Sequence, residues 1–283
     1  MIRKLYILIL LLCAACSSLS FEGSFKKAEG EIGLGNYAKA AKLYEKLANK
    51  FAGDDRVAVI WLRLGDLYAY PMDRAVDGLG AYQKAIESSP TSEAARLAHE
   101  RRAEVFEKIG RPSGMIEEYT ALLKYFPDSA DAPRYKMRLG ESYLMAEEYQ
   151  QARTELRGFV EKAGVEASQR QRALFDIGET YFLEGKPGKA VRFYYTLLRE
   201  NPKSPLAAEA ELRIATCLEE MGYLGTAYKF VYDAKNRYPN EKVIDERLEG
   251  LKNRGKGYEK SKSVKNPASG KTAEGVEEKP PIE

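Results

Sequence analysis

The sequence predicts an all-α protein, a solenoid of about six helical hairpins closed by a C-terminal capping helix. Three observations predict it. A small residue followed three positions later by a large one recurs at Gly65/Tyr68, Gly140/Tyr143 and Gly178/Tyr181, and more loosely at Ala103/Phe106 and Ala215/Leu218. The small positions, Ala28, Gly65, Ala103, Gly140, Gly178 and Ala215, follow one another in steps of 37 and 38. A second phase runs behind the first: Ala40, Ala152, Ala190 and Ala227 are small, and Tyr44, Tyr82, Tyr119, Leu156, Tyr194 and Val231 are large. A small residue on each of two helices lets their backbones approach, and the bulky residue fills the wedge towards the next pair. No single pair buries its own apolar face, so hairpins must stack.

Taken in chain order, residues 1–15 read as a signal peptide. Arg3 and Lys4 precede an apolar run from Leu5 to Ala15, too short for a hydrocarbon core that needs roughly 20 residues. Residues 16–24 form a short tether, 25–254 the solenoid with its cap, and 255–283 a disordered tail. The first unit carries Glu31 where later units have an aromatic, as a solvent-facing end allows. In the second unit, Ala69-Tyr70-Pro71-Met72-Asp73 interrupts the hairpin turn and the small position falls on Gly78, one residue short of register; a distorted loop is expected. Prolines close the units at Pro90, Pro127, Pro202 and Pro239. Ser92, Ser129 and Ser204, each two residues further on, are expected to cap the next helix, with Pro205 at its first position. Val243, Ile244, Leu248 and Leu251 recur at helical spacing and predict the capping helix. From Gly255 the composition is too polar to bury a core.

Trp61-x-x-Leu64-Gly65-x-x-Tyr68 matches the opening of the tetratricopeptide consensus at every defined position, and residues 24–240 resemble that family. The resemblance implies a right-handed superhelix whose first helices line a concave groove for partner proteins or peptides. The usual repeat has about 34 residues; here each closing proline stands 13 positions before the next small residue, about one helical turn longer than usual. This lengthened Pro-x-Ser turn resembles the tetratricopeptide lipoproteins of Gram-negative envelopes, both the BamD-like outer-membrane assembly component and the Tol-Pal-associated periplasmic proteins. The His-Pro-Asn-rich turn of BamD is absent, so its contacts are not carried over. Cys13-Ala14-Ala15-Cys16 is similar to a lipobox, with Cys13 where leucine is usual. It implies a diacylglyceryl group on the Cys16 sulfur and an acyl chain on its amine, a stable membrane anchor; a plain secretory peptide is the other reading. In the enteric sorting pattern, Ser17 implies delivery to the outer membrane. The function so implied is a lipid-anchored, periplasm-facing scaffold in outer-membrane protein assembly, with a Tol-Pal, division or peptidoglycan coordinator as the alternative.

No chemistry of its own is legible. The net charge of +3 comes from interleaved acids and bases, with no basic stripe for nucleic acid. His99 is the sole histidine, and Cys217 is the one cysteine left after Cys13 and Cys16. They stand on different units, so no metal and no cofactor are expected. His99 is read as solvated or capping and Cys217 as a buried, inert thiol. No phosphate cradle or nucleophile elbow occurs, and the acids are dispersed, so an enzyme acting on the cell wall is the remote third reading. One array stands out: Glu29, Asp66, Glu104, Glu141 and Glu179 each follow the small residue of a unit, until Thr216 breaks the series. With Arg134, Met137, Met145, Arg172, Phe175 and Phe182 nearby, these acids either form a groove that reads basic and apolar side chains or are merely solvated or paired with arginines of the next hairpin.

Overall fold

The computed structural model describes residues 21–161 and 164–265, with 256–265 as backbone only. The signal peptide, Cys16, Ser17 and the tail beyond Lys265 lie outside the described residues. All regular structure among them is helical: α1 (21–33), α2 (Tyr37–Lys50), α3 (Val57–Ala69), α4 (Ala75–Ser88), α5 (Glu93–Lys108), α6 (Pro112–Tyr125), α7 (Ala132–Met145), α8 (Tyr149–Val160), α9 (Ala167–Leu183), α10 (Pro187–Glu200), α11 (Ala207–Glu220), α12 (Leu224–Ala234) and α13 (Glu241–Lys265). The all-α, tetratricopeptide-like fold class expected from the sequence is the one observed. No helix among the described residues is long and apolar enough to cross a membrane.

Five hairpins turn in three residues, and the middle one is left-handed each time: Gly35, Gly110, Glu147, Gly185 and Gly222. The next amide closes back onto the helix, from Asn36 to Glu31, Arg111 to Phe106, Glu148 to Tyr143, Lys186 to Tyr181 and Tyr223 to Leu218, at 2.8–2.9 Å. This is the Schellman closure, which satisfies carbonyls the helix end would otherwise leave bare. The α3–α4 turn is longer, running from Tyr70 to Arg74 with Asp73 left-handed at φ 50°, the distorted loop expected there.

The chain divides into two compact units, one up to Tyr135 and one from Lys136 onward, with the boundary inside α7. In the first, Phe21, Ala28, Tyr44, Leu47, Ile60, Leu64 and Tyr68 form one core and Leu62, Ala69, Tyr82, Ala85, Ala98 and Val105 another. The core of the second is continuous from Leu156 through Ile177, Tyr194, Ile214 and Val231 to Ile244, Leu248 and Leu251. The small-and-large phasing is physical contact. A methyl group on Gly65 or Gly178 would sit 2.4 Å from the ring of Tyr82 or Tyr194, and one on Gly140 2.6 Å from Leu156.

Several expectations change in detail. Ser92 caps α5, accepting from the Ala95 amide at 3.1 Å. Ser129 and Ser204 instead accept from the amides two residues on, Asp131 and Leu206, at 3.2 Å. They hold a turn upstream of α7 and α11, so Pro205 is not the first helical residue. α1 already includes Phe21, which is buried, so the helix takes in residues expected in the tether. Glu31 is buried too, held by Asn36 at 3.0 Å and Lys39 at 2.7 Å, not solvated. α13 continues past Gly255 to Lys265, because extending a packed helix needs one hydrogen bond per added residue and no new nucleus. Val243 is exposed while Ile244, Leu248 and Leu251 are buried.

Candidate functional site: the acid, tyrosine and arginine lattice of the first helices

In each of the two units, the acids that follow the small residues are tied in two directions. Towards its own hairpin the acid accepts from a tyrosine: Tyr44 donates to Glu29, Tyr82 to Asp66 at 2.9 Å and Tyr194 to Glu179 at 2.5 Å. Towards the next hairpin it meets an arginine: Arg63 stands 3.6 Å from Glu29, Arg101 3.6 Å from Asp66, Arg172 3.9 Å from Glu141 and Arg213 2.9 Å from Glu179. The spacing is what a helix dictates. The tyrosine lies 15 or 16 residues downstream on the second helix of the hairpin; Arg63, Arg101 and Arg213 stand two residues before the small residue of the next unit, and Arg172 six residues before it.

Two acids depart from the scheme. Glu104 takes its phenol from Tyr70 in the long α3–α4 turn at 2.6 Å, and Arg101 at 2.8 Å. Glu141 has Leu156 where the others have tyrosine, and leans on Arg138 at 2.7 Å. In the last unit Thr216 replaces the acid, and Arg247 of α13 donates to it at 2.7 Å and to Glu219 at 2.7 Å. The break in the series is therefore repaired by the capping helix.

Burial acts on these groups in the same direction, disfavouring the charged form of phenol and carboxyl alike. The hydroxyls of Tyr44, Tyr82 and Tyr194 are pushed well above the usual phenol range by desolvation and by the carboxylates beside them. Burial also raises Asp66, against the pull of Tyr82 and Arg101. The largest such rise among the carboxylates belongs to Asp176, which stands where Arg63, Arg101, Arg138 and Arg213 stand in other units. It is 1% exposed. Desolvation lifts it to about 7 despite Arg172 at 3.0 Å, with Glu141 and Glu179 adding to the rise.

The second unit thus brings together Glu141, Arg172, Asp176, Glu179 and Arg213, with Phe182 beneath the Arg213 guanidinium at 5.7 Å. Phe175 is not part of this surface. It is 4% exposed and packs on the Tyr194 ring at 5.4 Å, because it falls in the run from Ala173 to Gly178 that α9 buries on every side. Arg134 belongs elsewhere as well, pairing with Glu100 at 2.9 Å and Asp131 at 3.3 Å. Met137 packs against the core and Met145 is exposed at the end of α7.

His99 overturns its expectation of being solvated or capping. It is 5% exposed, its Nδ1 lies 2.6 Å from the buried carboxylate of Glu118, and Arg102 reaches the other oxygen at 3.2 Å. The pattern around it, Ala94, Ala95 and Ala98 inside and Arg101 outside, puts position 99 on the inner face. Cys217 is buried, and desolvation pushes its thiol up to about 12, which fits the inert reading. Among the described residues no cluster of three or more His, Cys, Asp or Glu could hold a metal ion.

Residues 101–167 and 137–205 match the family model of the tetratricopeptide repeat. Solved structures of that class share the fold: YrrB, a tetratricopeptide protein with an unusual peptide-binding site, is 16% identical over 74% of this chain and 99% of its own, with a TM-score of 0.53. PilF of Pseudomonas aeruginosa is 20% identical over 76% of this chain and 94% of its own, with a TM-score of 0.50. The Naa15/Naa10 complex bound to HypK-THB aligns at 16% identity over 87% of this chain and 37% of its own, with a TM-score of 0.61. No curated protein sequence matches the chain. The fold is that of tetratricopeptide-repeat proteins, a scaffold suited to protein–protein interaction.

Proposed function

We propose that the chain is a lipid-anchored tetratricopeptide scaffold of the bacterial envelope that holds segments of partner proteins against its first helices, in outer-membrane protein assembly. The observation that carries this reading is the half-exposed state of the lattice arginines. Side chains of Arg172 and Arg213 are 50% and 37% exposed while the acids they meet, Glu141 and Glu179, are 14% and 13% exposed. Exposed ion pairs contribute on the order of 0–1 kcal/mol. A partner's lysine or acid can exchange into such a pair at little loss, while the buried phenol keeps Glu179 in place. Phe182 offers an apolar anchor beside them. YrrB, with its peptide-binding site, shows that a repeat fold of this size can serve such a purpose.

Arg172→Gln combined with Arg213→Gln tests the surface, since both side chains are solvent-facing, neither fills the core and no carboxylate is set beside the acids they meet. Pull-downs from solubilised envelopes should lose the partners captured by the parent protein while the melting temperature stays within a few degrees. Capture that is unchanged would leave the lattice a purely structural role. Partner identity separates outer-membrane assembly from the Tol-Pal, division or wall-coordinating alternative. Radiolabelled palmitate incorporation, with and without Cys16→Ala, tests the anchor, and membrane fractionation tests the outer-membrane location.

A further inference from the structure

A different part of the second unit has the composition of a ligand site. Between α8, the end of α9 and α10 lies a pocket of about 340 Å³ lined by Arg157, Tyr181, Lys189, Arg192, Phe193 and Thr196. Its floor is aromatic: the rings of Tyr181 and Phe193 stack at 5.5 Å and 21°. Its rim is cationic. Arg157 donates to the Tyr181 hydroxyl at 2.5 Å and stands 5.6 Å from the Phe193 ring centre, and Lys189 lies 5.8 Å from that of Tyr181.

What singles out this rim is the absence of counter-charge. Arg153, Arg170, Arg172 and Arg213 in the same unit each hold a carboxylate. Arg157, Lys189 and Arg192 hold none among the described residues. Glu184, on the turn after α9, is already taken by Arg153 at 2.8 Å and Lys186 at 3.0 Å. Three like charges around one opening repel one another, and an anion seated among them removes that repulsion.

We infer that this pocket binds a phosphate monoester whose apolar or aromatic substituent lies on the Tyr181–Phe193 floor. Three cations match a group carrying close to two negative charges above its second pKa of about 6, where a carboxylate would answer only one of them. Two guanidinium forks and an ammonium supply the donors for its three terminal oxygens. The volume lies at the small end of the range for small-molecule sites. The site uses none of the first-helix residues of the preceding proposal, so either can fail alone.

The full chain titrated with phenyl phosphate, followed by NMR or calorimetry at low salt, should show saturable one-to-one binding. It should be several-fold tighter than binding of inorganic phosphate and should weaken below pH 6. Arg157→Gln with Arg192→Gln should lower the affinity at least tenfold, and Lys189→Gln several-fold without touching any packed atom. Lys42→Gln, an exposed change on α2, should do nothing. Vesicles of phosphatidylcholine with and without phosphatidic acid separate the sources. Binding to phosphatidic acid that disappears in the double variant assigns the ester to a lipid headgroup, and its absence beside phenyl phosphate binding assigns it to a soluble ligand. Absence of saturable binding, indifference to the pocket substitutions, or equal affinity for inorganic phosphate overturns the inference.

Discussion

The hydroxyl of Tyr194 on α10 donates to the carboxylate of Glu179 on α9, and the ring of the same tyrosine lies against Gly178, the residue before that acid. One side chain thus sets both the spacing of the hairpin and the position of the charge it displays.

The two partners should be unequal when removed. Tyr194→Phe leaves Glu179 with Arg213 and keeps the ring, so a loss of about 1 kcal/mol is expected. Glu179→Leu strands a buried phenol and frees Arg213, for about 1–3 kcal/mol. Urea denaturation of the two variants and their double mutant gives the coupling; the reverse order would mean that the phenol finds another acceptor.

Gly178→Ala should be more damaging than its size suggests. The added carbon would lie 2.4 Å from a ring that is 0% exposed and has nowhere to go, and overpacking of this kind typically costs about 1–3 kcal/mol. Adding Tyr194→Ala, which removes the ring the new carbon would meet, should make the two losses less than additive in a thermal melt.

Asp176 makes stability depend on pH in the direction opposite to most carboxylates. Its folded value, about 7, lies above the ordinary 3.8, so the folded state holds the proton more tightly. Its contribution is therefore full below about pH 4 and is lost as pH rises towards 7, by about 1.4 kcal/mol per pH unit between the two values. Asp176→Asn should remove that slope. Stability of parent and variant measured from pH 4 to 8 should diverge upward in favour of the variant, and parallel curves would mean that Arg172 keeps the carboxylate ionised.

Glu147 occupies the left-handed turn position that is glycine in four other hairpins. A side chain there is disfavoured by roughly 1–2 kcal/mol, part of which glycine returns to the unfolded chain as entropy. Glu147→Gly should raise stability by about 0.5–1 kcal/mol, seen as a small upward shift in melting temperature.

The fold was legible because its signal is repeated. Gly65, Gly140 and Gly178 announce the same contact three times, and a periodic error would have had to recur at every unit to mislead. The acids of the lattice were equally visible, and their pairing with the next hairpin stood among the readings beside a binding groove and simple solvation. The tyrosines that hold Glu29, Asp66 and Glu179 were assigned only a wedge-filling role, although their spacing of 15 or 16 residues behind the acid is in the sequence. Phe175 was misplaced because position along a helix tells which residues share a face only once the burial phase is fixed, and α9 buries nearly every residue from Ala173 to Gly178. His99 failed for a related reason: its charged neighbours suggested solvent, while its true partner, Glu118, lies 19 residues away on another helix.

Phe21 has consequences at the opposite end of the molecule. It packs against Phe25 and Phe51, with the Arg56 guanidinium 4.3 Å from its ring centre, so the first hairpin depends on that ring. A recombinant version trimmed to start at residue 25 would uncover the first hairpin and should aggregate, whereas one starting at residue 20 should not. In a lipidated chain, four residues would separate Cys16 from Phe21, so at roughly 3.4 Å per residue that ring could stand no further than about 17 Å from the lipidated cysteine.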